Sequence, residues 1–394
     1  MRISIIRILP IILIIAAFAA WCPGCGGNSS SDTYIPTGGG TGSGSGNVTG
    51  GGTGTGSGTG TGTGTGSGTG TGPLTSTDQW EQVYSGTTND LYGISFASAT
   101  VGWAVGLSQT MLYTDSGGDS WVDQFGNIDP NARPSHETSG HFLGSKTPNP
   151  GPAQLLDVHA VDTSTAWVSC YGPCNGFSMT PCFVTTDGGA KWTCVLTATN
   201  FQEWGIYAFD GENARICTLG SPSHSDSNVI VIENGYDEDS PLIPWASLYD
   251  ISFGTRNDGW TAGIDIYHST NGGTSWDRQT PPSGAGYFFG VTAVDADRAW
   301  ICGQAGTIAN TVDGGATWTM QESGVSKSLL GIDFIDANRG WCVGGGGTIL
   351  ATTDGGETWV PQDSGVSHDL ASVSAVDATH VWACGAGGMI LRSK

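Results

Sequence analysis

Positive charge is what this chain has least of. Its 394 residues hold 13 Lys and Arg against 35 Asp and Glu, a net charge of -22 at pH 7. Such a surplus repels phosphate backbones and anionic headgroups, which excludes nucleic-acid binding and electrostatic attachment to a membrane. A long apolar run is also missing. The one candidate, Ile8 to Ala20, is interrupted by Pro10 and falls short of the roughly 20 residues a spanning helix needs. The catalytic signatures G-x-S-x-G, H-E-x-x-H, C-x-x-C-H and the phosphate loop are absent. The glycine run Gly344 to Gly347 precedes no helix whose N-terminus could bind phosphate. No cofactor, no metal and no enzymatic activity are therefore expected.

What is present falls into three parts. Residues 1–24 read as an export signal of lipoprotein type, with Arg2 and Arg7, an apolar run, and small residues before Cys25. Cys25 follows Gly24 and resembles the acylated cysteine of a lipobox, although Cys22 stands where leucine is preferred. Residues 25–77 are dominated by Gly, Thr and Ser and have no apolar periodicity to offset the entropy of ordering them. They read as a flexible tether reaching roughly 30–35 Å. The expected location is the cell envelope, exported and held to a membrane only through the lipid.

Residues 78–394 repeat one turn: TTDGGAKW (Thr185–Trp192), STNGGTSW (Ser269–Trp276), TVDGGATW (Thr311–Trp318) and TTDGGETW (Thr352–Trp359), with a looser TDSGGDSW at Thr114–Trp121. The spacing is 41 or 42 residues where copies are adjacent, the length of one four-stranded blade. Short apolar or alternating runs separated by Gly, Asn and Asp give four strands per unit and seven first strands. Trp80 and its neighbours match the fourth-strand pattern that the seventh unit lacks. The chain is thus expected to fold as an all-β, seven-bladed propeller of four-stranded blades, closed by the N-terminal strand, which leaves no open edge between first and last blades. In the turn, Asp or Asn bonds nearby N–H groups and the glycines supply positive φ.

Departures from the repeat mark candidate sites, because loops on a rigid scaffold carry function. Phe125–Ala153 holds Arg133, His136, Glu137, His141 and Lys146; Tyr171–Pro181 holds Tyr171 and Phe177; Ser221–Asn228 is a third insertion. All three are expected on the face opposite the repeated turns. YDEDS (Tyr236–Ser240) replaces the degenerate turn of blade three and reads as an acidic loop. Cys182 and Cys194 are expected nearly opposite one another, suited to a disulfide, with Cys170 and Cys174 pinning the longer loop; the same four could instead hold zinc, though their spacing matches no common pattern. Cys217, Cys302, Cys342 and Cys384 read as packing residues.

The repeated turn is the Asp-box, found also in sialidases, so a glycan-directed propeller is the alternative. Sialidase chemistry needs inner-strand arginines and a tyrosine–glutamate pair. The first strands offer Tyr92, Asp157, His159, Tyr207, Asp250 and Asp333, but no arginine. The pattern L-x-x-I-x-F-x-D-x-x-x-G-W-x-V-G followed by G-x-I-L-x-T-x-D-G-G-x-T-W resembles the photosystem II stability and assembly factor family. That resemblance implies a lumenal seven-bladed scaffold without catalysis, a monomer whose partner is a protein client met through an arginine-rich patch. Arg256, Arg298 and Arg339, just before the second-strand tryptophans of blades four to six, are what the resemblance would carry over.

Overall fold

The computed structural model describes residues 79–129, 154–171, 181–196, 202–219, 227–238, 242–243 and 246–394. They form seven sheets of four or five strands. The first strands are Leu91–Phe96, Gln154–Ala160, Gln202–Ala208, Leu248–Phe253, Phe288–Ala293, Leu329–Phe334 and Leu370–Ala375. Each contacts the first strand of both neighbouring blades, and the first and seventh touch each other, so the ring is closed around a channel. Closure is as expected: Trp80–Val83 pairs antiparallel with Met389–Ser393, Trp80 opposite Ser393 and Val83 opposite Ile390.

Neighbouring sheets pack through one recurring exchange of volume. In blades one, four and six the first strand ends in Phe96, Phe253 or Phe334, and the residue paired with it on the second strand is Gly102, Gly259 or Gly340. A Cβ on any of these glycines would overlap the phenylalanine ring. Where the first strand instead ends in Ala160, Ala208, Ala293 or Ala375, the partner is Ala166, Ala214, Ala299 or Val381. The sum of the two side chains is what the sheet spacing constrains. Phe96 and Phe334 then stack on Trp382 and Trp300 of the preceding blade, with ring centroids 3.6 and 3.8 Å apart. Trp103, Trp167, Trp260, Trp300 and Trp382, all on second strands, are fully buried between blades.

Blade three departs from the expected layout. The Asp-box is replaced by a two-residue hairpin at Asn234 and Gly235, with φ of 52° and 78°. Two positive-φ residues in a row suit the right-handed twist of flanking strands, and Asn-Gly is the commonest pair for it. Tyr236–Glu238 is consequently the fourth strand of that blade and not an acidic loop. Ser227 and Asn228 likewise belong to its third strand.

Candidate functional site

Each Asp-box is consumed by its own turn. In blade five, Thr311 Oγ1 accepts the Gly315 N–H at 2.8 Å and donates to Asp313 Oδ1 at 2.8 Å. Asp313 accepts the Thr317 N–H and hydroxyl at 2.9 and 2.6 Å, and these bonds hold its carboxyl below the ordinary carboxylate range. A carboxylate so occupied has no proton to trade with a substrate.

The boxes are also joined to the preceding blade by glutamines that sequence reasoning did not single out. Gln279 Nε2 donates to Gly314 O at 2.9 Å while its Oε1 accepts Trp318 Nε1–H at 2.9 Å. Gln321 repeats this with Gly355 and Trp359, and Gln124 with Gly188 and Trp192. A Cβ on Gly189, Gly315 or Gly356 would overlap the latch carboxamide, which explains the second glycine of the box. The signal was legible as W-x-x-Q: Trp121/Gln124, Trp276/Gln279, Trp318/Gln321 and Trp359/Gln362. Blade three interrupts the series with Arg215 at the second-strand Trp position. Its buried guanidinium bonds Gly272 O of the next box, Ala214 O, Ile232 O and Glu233.

The channel wall holds the inner-strand polar residues. Asp157 Oδ2 accepts Ile206 N–H of the next blade at 3.0 Å, and Asp250 Oδ2 accepts Val291 N–H at 2.8 Å. Asp333 Oδ2 accepts Ala375 N–H at 2.8 Å, while Ser95, Ser252 and Ser374 make the same kind of bridge at other joints. These side chains supply acceptors where adjacent inner strands have no ladder of their own. Burial pushes Asp157 up to about 7, Asp333 up to about 6 and Asp250 well above its ordinary value, and it lowers His159 to about 4. The His159 ring lies 4.4 Å from that of Tyr207. Among the described residues no group of three or more His, Cys, Asp or Glu is arranged to hold a metal ion.

The Asp-box end is recognisable by its bonding: the turn between first and second strands meets the box of the same blade, as in Gly272 N–H to Asn257 O and Gly355 N–H to Asn338 O. Arg256, Arg298 and Arg339 occupy those turns in three successive blades. They do not stand as free cations together. Arg256 lies 3.5 Å from Asp210 and over the Phe209 ring, and Arg298 lies 2.6 Å from Asp295. Arg339 is half-buried, with its backbone N–H bonded to Asp336.

The cysteine pairing changes. Cys194 is paired with Phe183, and Cys182 with Val195. A one-residue offset puts the two side chains on opposite faces of the sheet, Cys194 toward blade one and Cys182 toward blade three, so they cannot be joined. Cys170 is buried beside the Cys194 cluster. The first insertion also begins otherwise than expected. Ile128–Asp129 runs parallel to the outer strand of blade two, and Asn127 Nδ2 donates to Gly189 O at 2.7 Å, so the segment follows the outer edge of that blade past its Asp-box. Tyr171 ends the second strand of blade two, half-buried. Cys25, Arg133, His136, Glu137, His141, Lys146, Cys174 and Phe177 lie outside the described residues.

Residues 242–322 and 317–394 match the family model for the photosynthesis system II assembly factor YCF48. The match spans blades four to seven. None of the curated proteins matches the chain by sequence. Among solved structures, YCF48 bound to D1 peptide is 18% identical, with a TM-score of 0.59 over 82% of this chain and 98% of that one. YCF48 from Cyanidioschyzon merolae is 19% identical, with a TM-score of 0.60 over 80% of this chain and 98% of that one. The same fold is shared with an inactive virginiamycin B lyase from Staphylococcus aureus, at 13% identity and a TM-score of 0.59 over 80% and 99% of the two chains. Identities this low establish the propeller and leave the chemistry to the residues.

Proposed function

We propose that this chain is a non-catalytic, protein-binding propeller that acts as an assembly scaffold, in the manner of the photosystem II assembly factor family. The family match over residues 242–394 carries the reading. It is supported by a structural neighbour of the same fold, YCF48, that is bound to a peptide of another protein, D1. The polar groups that could do chemistry are engaged in structural bonds: the Asp-box carboxylates cap their turns and the channel aspartates bridge blades. The client is a protein in the course of assembly, and the propeller works as a monomer. It is exported and held at the envelope through a lipid on Cys25, with the Gly/Thr/Ser segment as a tether.

Affinity purification from the native envelope after cross-linking, read by mass spectrometry beside a glycan array, tests the scaffold reading. A reproducible protein client is expected. Specific glycan binding with no client would overturn it in favour of a lectin-like or hydrolytic propeller. Metabolic labelling with a fatty-acid analogue tests the anchor: the label should enter the wild type and be lost in Cys25→Ala.

A further inference from the structure

The Asp-box mouth of the channel has a composition that the repeat does not require. In five blades the first strand is followed by an apolar residue and then an aspartate: Val161-Asp162, Phe209-Asp210, Val294-Asp295, Ile335-Asp336 and Val376-Asp377. Each apolar member is only half-buried, packed on one side against the interblade core. Asp162 and Asp336 cap the turn through Oδ1, as Asp336 does with the Asn338 and Arg339 N–H groups, whereas Asp210, Asp295 and Asp377 also engage Oδ2, with Arg256, Arg298 and His380. In Asp377 slight burial is outweighed by hydrogen bonds from Thr379 and His380, which bring it to about 2, and in Asp210 the bonds from Glu212, Asn213 and Arg256 likewise outweigh burial and lower it. Outside this ring stand Glu212, Asp297 and Glu357, all exposed.

Basic groups on this face do not balance the acids: Arg256 and Arg298 pair with Asp210 and Asp295, and His380 with Asp377, while Asp162 and Asp336 stand with the exposed Glu212, Asp297 and Glu357 against the half-buried Arg339. One box also breaks its own pattern. The position after the leading Thr or Ser is Asp or Thr in the other copies, but in blade five it is Val312, which is 64% exposed. A half-buried apolar centre, an acidic rim and an exposed valine in a box on the same face together have the anatomy of a docking surface, with contact area in the middle and charge at the edge.

We propose that the Asp-box face docks a cationic segment of the protein client, with an apolar side chain against the ring at the channel mouth and lysine or arginine side chains on the aspartate rim. The inference rests on the protein-binding reading above and gives that partner a chemistry. It is the reverse of an arginine-lined surface, which would select an acidic client. The rim charges act in high dielectric, so binding is expected to weaken with salt, while Val312 contributes through buried area.

The probe is a fluorescein-labelled peptide of lysine and leucine, read by anisotropy with the full chain at low and high salt. A glutamate–leucine peptide of the same length serves as comparison. Glu212→Lys with Asp297→Lys changes this face using side chains that make no turn bonds. Glu322→Lys with Asp363→Lys makes an equal change of net charge on the links at the other end. The first pair is expected to lose tenfold or more in affinity, Val312→Ser severalfold, and the second pair less than twofold; the first pair and Val312→Ser should unfold at the wild-type urea midpoint and the second pair somewhat below it, because Asp363 Oδ1 accepts the Gly365 N–H. Equal losses in the two pairs would reduce the effect to net charge and overturn the proposal, as would preference for the glutamate peptide or no binding by the wild type. A native client captured equally by wild type and the first pair would sink the docking face while leaving the scaffold intact. Absence of any native client would sink the scaffold reading itself.

Discussion

At the scale of the residue, small changes in this protein have identifiable costs because a few atoms are held on both sides. Gly315 has φ of 80°, and the space beside it is filled by the Gln279 carboxamide. Gly315→Ala therefore meets both a backbone conformation that L side chains resist and a steric overlap. A loss of about 2–4 kcal/mol is expected by urea denaturation, whereas the same change at the open, positive-φ Gly324 should cost only about 1 kcal/mol. The thiols give a second test. Cys217, Cys302 and Cys384 are fully buried, and burial raises the pKa of each above the ordinary thiol value. Thiolate is the reactive species, so the folded protein should leave these three unlabelled by a disulfide reagent at pH 8 while urea exposes them. Mass spectrometry of the labelled peptides decides the matter.

At the scale of the element, the blade is held to its neighbour by a polar latch set in an apolar interface. Removing Gln321 strands the Trp359 indole N–H and takes one of the donors from Gly355 O. An orphaned buried donor costs about 1–3 kcal/mol, and Gln321→Ala should lower stability by that amount, measured as a shift in urea midpoint with unchanged slope. Gln321→Glu retains an acceptor for the indole and should recover part of the loss near neutral pH. The latch is absent at the closure: Val83 stands at the glutamine position of W-x-x-Q, and the Trp121 indole N–H is buried without a hydrogen-bond partner. There Arg392 substitutes, bonding Gly117 O, Glu81 and Asp119. Existence and order of strands were legible because period-two runs bounded by Gly and Asp leave few alternatives. The latch was legible as a spacing but could not be interpreted, since its partner lies in the next blade. Blade three differs from the expected acidic loop because Asn234-Gly235, a two-residue turn, closes its outer hairpin where other blades use an Asp-box.

At the scale of the whole molecule, the ring concentrates carboxylates in its channel and thereby couples stability to pH. Asp157 and Asp333 have folded values near 7 and 6 against an ordinary 3.8. The folded state thus binds protons more tightly than the unfolded one, so their stabilising contribution is complete below about pH 4 and is lost as pH rises through 6 to 7. His159, lowered to about 4, works the other way, losing stability as pH falls below its ordinary 6.5. The two trends overlap, and a substitution separates them. The urea midpoint of Asp157→Asn should decline less between pH 5 and pH 8 than that of the wild type; equal slopes would show that Asp157 does not titrate in this range.

By itself the sequence determined the number of blades and the closing strand. Each of these follows from local periodicity, and periodicity is written along the chain. The tertiary structure alone decided what the departures from the repeat mean. Arg215 stands where other second strands carry tryptophan, and only the fold makes it the donor to the next box. The three surface arginines suggested a basic patch, but the turns give two of them their own aspartates. Cys182 and Cys194 looked like partners by spacing, and the register turns them away from each other. In each case the deciding contact joins residues of different strands or blades, and its sign depends on which face a side chain takes. A shift of one residue reverses that face, and only the folded sheet records it.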